Sequence, residues 1–427
     1  MLQKIIILFY YVKTKYFHNF TDRASLEKWQ KSKIKKFIAK VVGKSPFYKN
    51  YFKNLQTLPP EEWPSIDKKI MMENFDDFNT AGIKLKNSLE VAIKAEEDRD
   101  FTPKLGKYSV GLSSGTSGIR GVFLVSPLEQ AKWCGTILAK MLPGSIFGKQ
   151  KIAFFLRANN NLYESVKSSR IKFRFFDLKQ DLKSNLNELD KFQPDILIAP
   201  PNMLNIISDA QEKHDIQISP AKIVSVADVL YEDIKNKLEN IFQQKIHQVY
   251  QATEGFIACT CKHGNLHLNE DALSVRKKYL DEDSGRFIPI ITDFNRTTQP
   301  IINYELNDIL VEEPMKCPCG SPFTVIKKIE GRCDDILYYE DKEGKRHIVF
   351  PDFIIRTILK YIPKAEDFLF TQTDVDNAVL SLPYMDECGE LLKALKEVIP
   401  INITVETLQR SSDLSLKQKR VSRKFNP

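Results

Sequence analysis

Hydroxyl groups and glycines alternate in Gly111-Leu-Ser-Ser-Gly-Thr-Ser-Gly118, between two apolar runs that predict strands at 108–112 and 122–125. Glycines let backbone N–H groups approach phosphate oxygens closely, and small hydroxyl side chains add further donors. The segment therefore indicates a phosphate-binding loop, and the alternative is a polar hairpin loop without a ligand. It is not a Walker loop, because no Gly-Lys-Ser/Thr sequence ends it.

Three further segments carry groups that a nucleotide site needs. Tyr250-Gln-Ala-Thr-Glu-Gly255 follows an apolar run, and a hydroxyl beside a carboxylate at a strand end can bind Mg²⁺ and a phosphate. Asn303-Tyr-Glu-Leu-Asn-Asp308 supplies carboxylates for ribose hydroxyls, and Gly331-Arg-Cys-Asp-Asp335 adds an arginine for a phosphate or ribose. Each segment is ordinary in isolation, so the indication lies in the set.

The order and spacing of the four segments closely resemble those of the acyl-activating superfamily of adenylate-forming enzymes. Within it the chain is most similar to the branch of phenylacetate–coenzyme A ligases and capsule-cluster adenylate-forming enzymes. Ser45-Pro-Phe-Tyr48 and the segment Cys317-Pro-Cys-Gly320 support that branch. The resemblance extends from about Phe37 to the C-terminus.

The resemblance implies a role for each matching residue. The ATP β- and γ-phosphates would be held by the loop residues Ser113, Ser114, Gly115, Thr116, Ser117 and Gly118. Thr253 would meet the α-phosphate and Glu254 the Mg²⁺ ion, while Ala227 and Asp228 would pack on adenine. Asp308 would hold the ribose with the help of Arg332, and Asp334 would be the hinge of a mobile C-terminal domain.

The C-terminal segment Ser415-Leu-Lys-Gln-Lys-Arg-Val421 is similar to the family's Ser-Gly-Lys-x-Arg-Arg-Val, which makes Lys417 the candidate catalytic lysine. Leu416 stands where the family has glycine, and Lys419 is a rival two residues away. The alternative is a solvated basic tail. Arg120 follows the phosphate loop where many members have a Pro-Lys pair, so it either replaces that lysine or points into solvent.

Cys261, His267, Cys317 and Cys319 supply three thiolates and an imidazole, a set suited to tetrahedral Zn²⁺. The prediction is a structural zinc ion within residues 259–319, and unliganded reduced thiols are the alternative. Cys259 and His263 are competing ligands.

Apolar runs that alternate with helical spacers predict an α/β protein. The runs lie at 151–156, 172–178, 195–199, 222–227 and 245–250, which is the pattern of a mainly parallel sheet with helices on its faces. Because ligands bind beyond the carboxyl ends of such strands, the chemistry is expected in the loops that follow them. We expect a large domain at 1–330, with a helical preamble over about 1–100, and a small mobile α+β domain at 331–427 that closes as a lid.

Composition limits the partners. The net charge is +8, but 63 basic residues are offset by 55 acidic ones along the chain, which disfavours a nucleic-acid role. The apolar run Ile5–Tyr11 is too short to span a bilayer, so we expect a cytoplasmic protein with at most peripheral membrane contact. A homodimer is the default expectation.

The predicted function is ATP-dependent activation of a carboxylic acid to an acyl-AMP with release of pyrophosphate. The acyl group then passes to a thiol, either coenzyme A or the phosphopantetheine arm of a carrier protein. One alternative is an amide or ester synthetase with an amine or hydroxyl acceptor. A distant alternative is a zinc-containing nucleic-acid-binding protein, which a steep salt dependence of nucleic-acid affinity would reveal.

Overall fold

The computed structural model describes residues 2–17, 20–53, 55, 57–59, 62–100, 102–113, 120–159, 161–362, 368–383, 388–408 and 419–425. The chain forms two compact units, Met1–Leu306 with Val311–Lys328, and Asn307–Leu310 with Ile329–Pro427.

The helices of the first unit lie between the N-terminus and Phe242. In chain order they are α1 (Leu2–Val12), α2 (Arg23–Val41), α3 (Pro46–Phe52), α4 (Lys68–Glu73), α5 (Phe75–Phe78), α6 (Leu85–Glu97), α7 (Pro127–Met141), α8 (Asn161–Glu164), α9 (Leu182–Phe192), α10 (Pro201–Glu212) and α11 (Glu232–Phe242). A π-helical segment, Lys13–Phe17, continues α1.

The strands of the first unit begin at residue 104. They are β1 (Lys104–Leu105), β2 (Tyr108–Leu112), β3 (Val122–Val125), β4 (Gln150–Leu156), β5 (Ile171–Asp177), β6 (Ile196–Ala199), β7 (Lys222–Ser225), β8 (Ile246–Gln251), β9 (Phe256–Thr260), β10 (Leu266–Leu268), β11 (Leu273–Asp281), β12 (Arg286–Asp293) and β13 (Ile301–Glu305). The chain passes between the two units within β14 (Asp308–Glu312) and β15 (Val325–Arg332).

The predicted parallel sheet is present, in the order β5-β4-β6-β7-β8. Alternating side chains of β4 enter two separate cores: Ala153 and Phe155 pack with α9 and α10 on one face, and Ile152 packs with α7 on the other. Helices therefore cover both faces, as apolar runs without polar alternation require. The α/β prediction is confirmed.

Beyond β8 the strands of the large sheet run antiparallel, in the order β8-β9-β10-β15. β11, β12 and β13 also pair antiparallel. A separate antiparallel sheet, β1-β2-β3, holds the phosphate loop between its second and third strands.

The N-terminal apolar run forms α1, which lies against α7. The two backbones approach closely at Gly135, where a Cβ atom would lie 2.4 Å from the carbonyl oxygen of Ile7. A side chain at this position would therefore push α1 away. Within the part of the chain that the structure describes, no helix has the length and apolarity needed to cross a membrane.

The second unit is an α+β structure. Its elements are β16 (Leu337–Glu340), β17 (Arg346–Val349), α12 (Pro351–Tyr361), β18 (Leu369–Gln372), β19 (Asn377–Leu382), α13 (Gly389–Val398), β20 (Asn402–Thr407) and β21 (Val421–Arg423). The sheet order is β20-β19-β18-β21, and β16 pairs with β17. Apolar residues of both helices and of the sheet are buried, including Ile358, Phe370 and Leu395.

Candidate functional site

Two of the predicted nucleotide-binding segments lie side by side at the carboxyl edge of the parallel sheet. β7 and β8 are neighbouring parallel strands, with Ser225 opposite Gln248. Ala227 and Asp228 follow β7, and Thr253 and Glu254 follow β8. Ala227 has a φ of 71°, a left-handed conformation that non-glycine residues rarely adopt and that is often associated with functional sites.

Thr253 and Glu254 occupy the tip of a tight hairpin turn between β8 and β9. Two backbone hydrogen bonds close the turn: Ala252 N donates to Gly255 O at 3.0 Å, and Gly255 N donates to Ala252 O at 3.3 Å. At Gly255 a Cβ atom would lie 2.5 Å from Asp293 Oδ2, so a side chain there would displace that carboxylate. The turn thereby fixes the position of Glu254, which stays partly exposed.

Glu254 is half-buried and its two carboxylate oxygens accept one identified hydrogen bond each. Tyr304 Oη donates to Oε1 over 3.1 Å, and Thr253 Oγ1 donates to Oε2 over 2.9 Å. Burial, and then the charge of Glu254, raise the pKa of Tyr304, so its hydroxyl remains a neutral donor. A carboxylate with two accepted bonds keeps lone pairs for a further donor or for a hard cation such as Mg²⁺.

A continuous set of contacts joins Glu254 to the phosphate loop. Tyr304 lies on β13, five residues after Gln299 in sequence. The Gln299 amide accepts from Leu124 N at 3.0 Å and donates to Val122 O at 3.0 Å, in the manner of a strand partner for β3. β13 and the end of the loop are therefore held to one another.

The base of the phosphate loop is closed by Ser113 and Gly121. Gly121 N donates to Ser113 Oγ at 2.7 Å, and Ser113 N donates to Gly121 O at 2.8 Å. The remaining predicted loop residues Ser114, Gly115, Thr116, Ser117 and Gly118 lie outside the described residues. Arg120 is half-exposed and pairs with Glu96 at 2.6 Å.

Sequence reasoning assigned no role to Glu129, Gln299 or the Tyr304 hydroxyl. Glu129, 3% exposed, accepts six hydrogen bonds from Ser126, Thr297 and Thr298. These bonds tie the N-terminus of α7 to the segment that enters β13. A capping-box pattern, Ser126 with Glu129 three residues later, was the one local signal for this contact.

Ser45-Pro-Phe-Tyr48 has a structural explanation at the same segment. Tyr48 is fully buried; its hydroxyl donates to Pro300 O at 2.9 Å and accepts from Ile302 N at 3.3 Å. Ser45 Oγ caps α3 by accepting from Tyr48 N at 3.2 Å. The motif therefore fixes the start of β13, which carries Tyr304.

The residues predicted for the ribose, the hinge and the catalytic lysine belong to the second unit. The Arg332 Nε and Asp308 Oδ1 atoms are 3.6 Å apart, and Asn307 Nδ2 donates to Asp334. Lys419 pairs with Asp335 at 2.7 Å, so this rival lysine is engaged in an ion pair that anchors the start of β21. Lys417 lies outside the described residues.

The four predicted zinc ligands lie together in the first unit. The ligand atoms of Cys261, His267, Cys317 and Cys319 all fall within 4.8 Å of one another. Cys261 Sγ and Cys317 Sγ are 3.7 Å apart, and Cys319 Sγ is 3.5 Å from His267 Nε2. With Zn–S bonds of about 2.3 Å, ligand atoms at the corners of a tetrahedron are about 3.7 Å apart.

The surroundings of the four side chains also fit a metal site. His267 Nδ1 lies 3.3 Å from Phe323 O, so donation there leaves Nε2 free for a metal. Asn265 Nδ2 donates to Cys317 Sγ at 3.1 Å. The competing ligands lie apart: Cys259 is buried and contacts Asn269, while His263 contributes its backbone N–H to Cys261 Sγ.

Comparison with solved structures identifies the fold as that of adenylate-forming ligases. One match is 2-hydroxyisobutyryl-CoA ligase in complex with 2-HIB-AMP, with a TM-score of 0.70, 13% identity, and coverage of 94% of this chain and 90% of that one. Another is the amide bond synthetase McbA from Marinactinospora thermotolerans, with a TM-score of 0.51, 11% identity, and coverage of 70% and 64%. The ATP-bound RpMatB-BxBclM chimera matches with a TM-score of 0.53, 14% identity, and coverage of 71% and 65%. No family model and no curated protein sequence matches the chain.

Proposed function

We propose that the protein activates a carboxylic acid with ATP as an acyl-AMP, releases pyrophosphate, and transfers the acyl group to a thiol. The observation that carries the proposal is the meeting of Ala227-Asp228 and Thr253-Glu254 at one sheet edge, with Tyr304 and Gln299 linking them to the phosphate loop. The fold supports it, since the 2-hydroxyisobutyryl-CoA ligase that shares it was crystallised with 2-HIB-AMP and CoA.

In this proposal, different residues contact the phosphates, the adenine, the ribose and the magnesium ion. The loop that Ser113 begins surrounds the β- and γ-phosphates, Thr253 donates to the α-phosphate, and the Ala227 backbone lies against adenine. Glu254 would hold Mg²⁺, which offsets the negative charge that develops when a carboxylate attacks the α-phosphorus. Asp308 and Arg332 are proposed for the ribose, Lys417 for the cation of the adenylation step and Asp334 for the hinge.

Coenzyme A or a carrier-protein phosphopantetheine arm is the proposed acceptor. The Cys261, His267, Cys317 and Cys319 cluster is proposed to bind a structural Zn²⁺ ion that fastens the segment before β15 to the β9–β10 hairpin. A closed set of four protein ligands leaves no coordination position for a substrate, so the ion would have no part in the chemistry.

The test is ATP–pyrophosphate exchange across aryl, fatty and amino acids. Exchange that depends on one class of acid is expected. Absence of exchange with every acid, by folded protein that also fails to bind ATP, would refute the proposal. Products formed with coenzyme A, carrier protein and amines then separate a thiol ligase from an amide synthetase.

The lysine assignment has a matched pair of variants. Lys417→Ala should abolish exchange while the melting temperature stays unchanged. Lys419→Ala should lower the stability of the second unit by removing the ion pair with Asp335, with a smaller effect on exchange. Undiminished exchange by Lys417→Ala would show that the assignment is wrong.

The zinc proposal is tested by metal analysis of purified protein. One zinc per chain is expected, with loss of zinc and of thermal stability in His267→Asn. The control is His263→Asn, because His263 contacts the cluster through its backbone only. Equal zinc content in both variants would contradict the ligand set.

A further inference from the structure

A cavity of about 190 Å³ lies in the first unit, and none of its lining residues is one that was assigned to ATP. It is bounded by the C-terminal part of α1 and its π-helical extension, by α2, by α7, and by residues 271–272 and 294–295. Five lysines line it: Lys13, Lys33, Lys36, Lys40 and Lys132. We call this cavity the lysine pocket.

The carboxylates around the lysine pocket are engaged elsewhere. Asp271, the acidic residue in the described lining, forms an ion pair with Lys140 at 2.9 Å. Glu129, near Lys132, is saturated by six hydrogen bonds. Asp293, also near Lys132, has a pKa raised to about 6 by burial, and both Glu129 and Asp293 favour the charged form of Lys132. Because five lysines line the pocket against these few carboxylates, the pocket keeps a net positive charge.

Lys132 is the buried lysine of the pocket. Its side chain lines the pocket, the residue is 7% exposed, and the structure gives it no hydrogen bond or ion pair with any described residue. Its ammonium lies 5.6 Å from the centre of the Tyr10 ring, and Lys13 lies 5.5 Å from the same ring. A ring face attracts cations weakly and does not neutralise two of them.

The lysines also lower one another's pKa, because neighbouring positive charges disfavour the protonated form. Burial, followed by the charges of Lys33 and Lys132, lowers the pKa of Lys13. Burial, followed by Lys132 and Lys44, lowers the pKa of Lys40. Like charges gathered at such a cost are expected where an anion restores the balance.

We propose that the lysine pocket binds the phosphate group of a ligand distinct from ATP. A phosphate monoester carries close to two negative charges and accepts several hydrogen bonds, which suits several lysine ammoniums with Thr136 and Asn295 also in the lining. The cavity is larger than a phosphate group, and Trp29 and Phe294 supply aromatic surface for a small organic portion.

The phosphate group has two possible sources, a soluble phosphate ester or a phospholipid headgroup. The second is relevant because α1 and its extension, which border the pocket, expose Leu2, Ile5, Phe9 and Phe17. Exposed apolar side chains beside a basic site are typical of surfaces that contact anionic membranes.

The experiment compares wild-type protein with Lys132→Met and with Lys35→Met. Lys35 is an exposed lysine on α2 outside the pocket, so its variant has the same change of charge. Titration calorimetry uses inorganic phosphate and glycerol 1-phosphate as soluble probes. Flotation uses phosphatidylcholine vesicles with and without phosphatidic acid. ATP and pyrophosphate are left out because they bind the proposed active site.

Binding of a soluble probe that weakens about tenfold or more in Lys132→Met, but not in Lys35→Met, would support a soluble ester. Binding to phosphatidic acid vesicles alone, with the same dependence on Lys132, would support a headgroup. Absence of binding to all probes, or equal binding by the three proteins, would overturn the proposal. Because Lys132 makes no hydrogen bond or ion pair with a residue that the structure describes, its Met variant should keep the wild-type melting temperature. Lys13→Met provides a second variant if it does not.

Discussion

Glu129 and Glu254 are two carboxylates of the same unit with opposite surroundings. Glu129 is buried and accepts six hydrogen bonds from its own chain. Glu254 is half-buried and accepts identified bonds from Tyr304 and Thr253. A saturated carboxylate holds structure, whereas one with spare lone pairs on a fixed turn is available to a ligand. Hydrogen-bond saturation thus separates an architectural acid from a functional one.

The largest expected effect is on stability, at the saturated carboxylate. Glu129→Ala leaves the N–H donors of half-buried Thr297 and buried Thr298 without their acceptor and should lower the free energy of unfolding by about 3 to 5 kcal/mol. Chemical denaturation measures this. Glu96→Ala removes an exposed ion pair with Arg120 and should cost about 1 kcal/mol or less. Equal losses of unfolding free energy in the two variants would show that the hydrogen bonds of Glu129 do not stabilise the fold more than an exposed ion pair does.

Glu129 also makes a prediction for acid conditions. Burial alone would raise its pKa, but Arg296 and the hydrogen bonds from Thr298 and Ser126 outweigh burial and lower it. Its stabilising contribution is therefore present above the unfolded-state pKa and is lost as the pH falls through the lowered native pKa.

At the unsaturated carboxylate the expected effect is on catalysis. Glu254→Gln keeps the size and one acceptor oxygen, and its NH2 group can instead donate to the Thr253 hydroxyl, but it removes the charge proposed for Mg²⁺. Pyrophosphate exchange should fall by about 100- to 1,000-fold while the melting temperature changes little. Glu282→Gln, on the exposed turn between β11 and β12, is the charge-matched control. A stability loss without loss of exchange would reverse the assigned roles.

Asp293 is a third carboxylate of the first unit, and its burial predicts how the stability of the protein changes with pH. It is buried, it accepts from Asn295 N at 2.7 Å, and burial raises its pKa to about 6. The native state then holds its proton more tightly than the unfolded state, so stability falls as the pH rises from about 4 to 6. Asp293→Asn should therefore stabilise the protein by about 1 to 3 kcal/mol above pH 6 and give no gain below about pH 4.

Unfolding curves of the wild-type protein and Asp293→Asn at pH 4 and pH 8 test this sign. The comparison within one pair of proteins cancels the titration of the other groups. A gain that is the same at both pH values would mean that the carboxylate proton is not involved.

The smallest expected effect concerns one hydrogen bond of Glu254. Tyr304→Phe removes the donor to Oε1 and keeps the ring, so exchange should fall by about tenfold. The magnesium concentration for half-maximal activity should rise, because Glu254 loses its orientation. Tyr279→Phe, at an exposed contact with Glu312, is the control. An unchanged magnesium dependence would show that Tyr304 does not position Glu254.

The sequence predicted the regular elements closely where the pattern was local. Alternating apolar runs and helical spacers indicated β4 to β8, as observed. The antiparallel continuation beyond β8 was less visible, because its short strands are joined by turns and paired with strands far away in sequence. Pairings such as Leu266 with Ile326 depend on the whole fold.

By itself, the sequence determined the motif order, the helix-and-strand alternation and the identity of the four Cys and His residues, since each is a short-range property of side-chain type and spacing. The tertiary structure decided which acid is saturated and which lysines share a cavity. Glu129 accepts a hydrogen bond from Thr298, 169 residues away, and Lys132 lines the same cavity as Lys13, which lies more than a hundred residues earlier in the chain. Such contacts follow from how helices and strands pack, and no local pattern of residues encodes them.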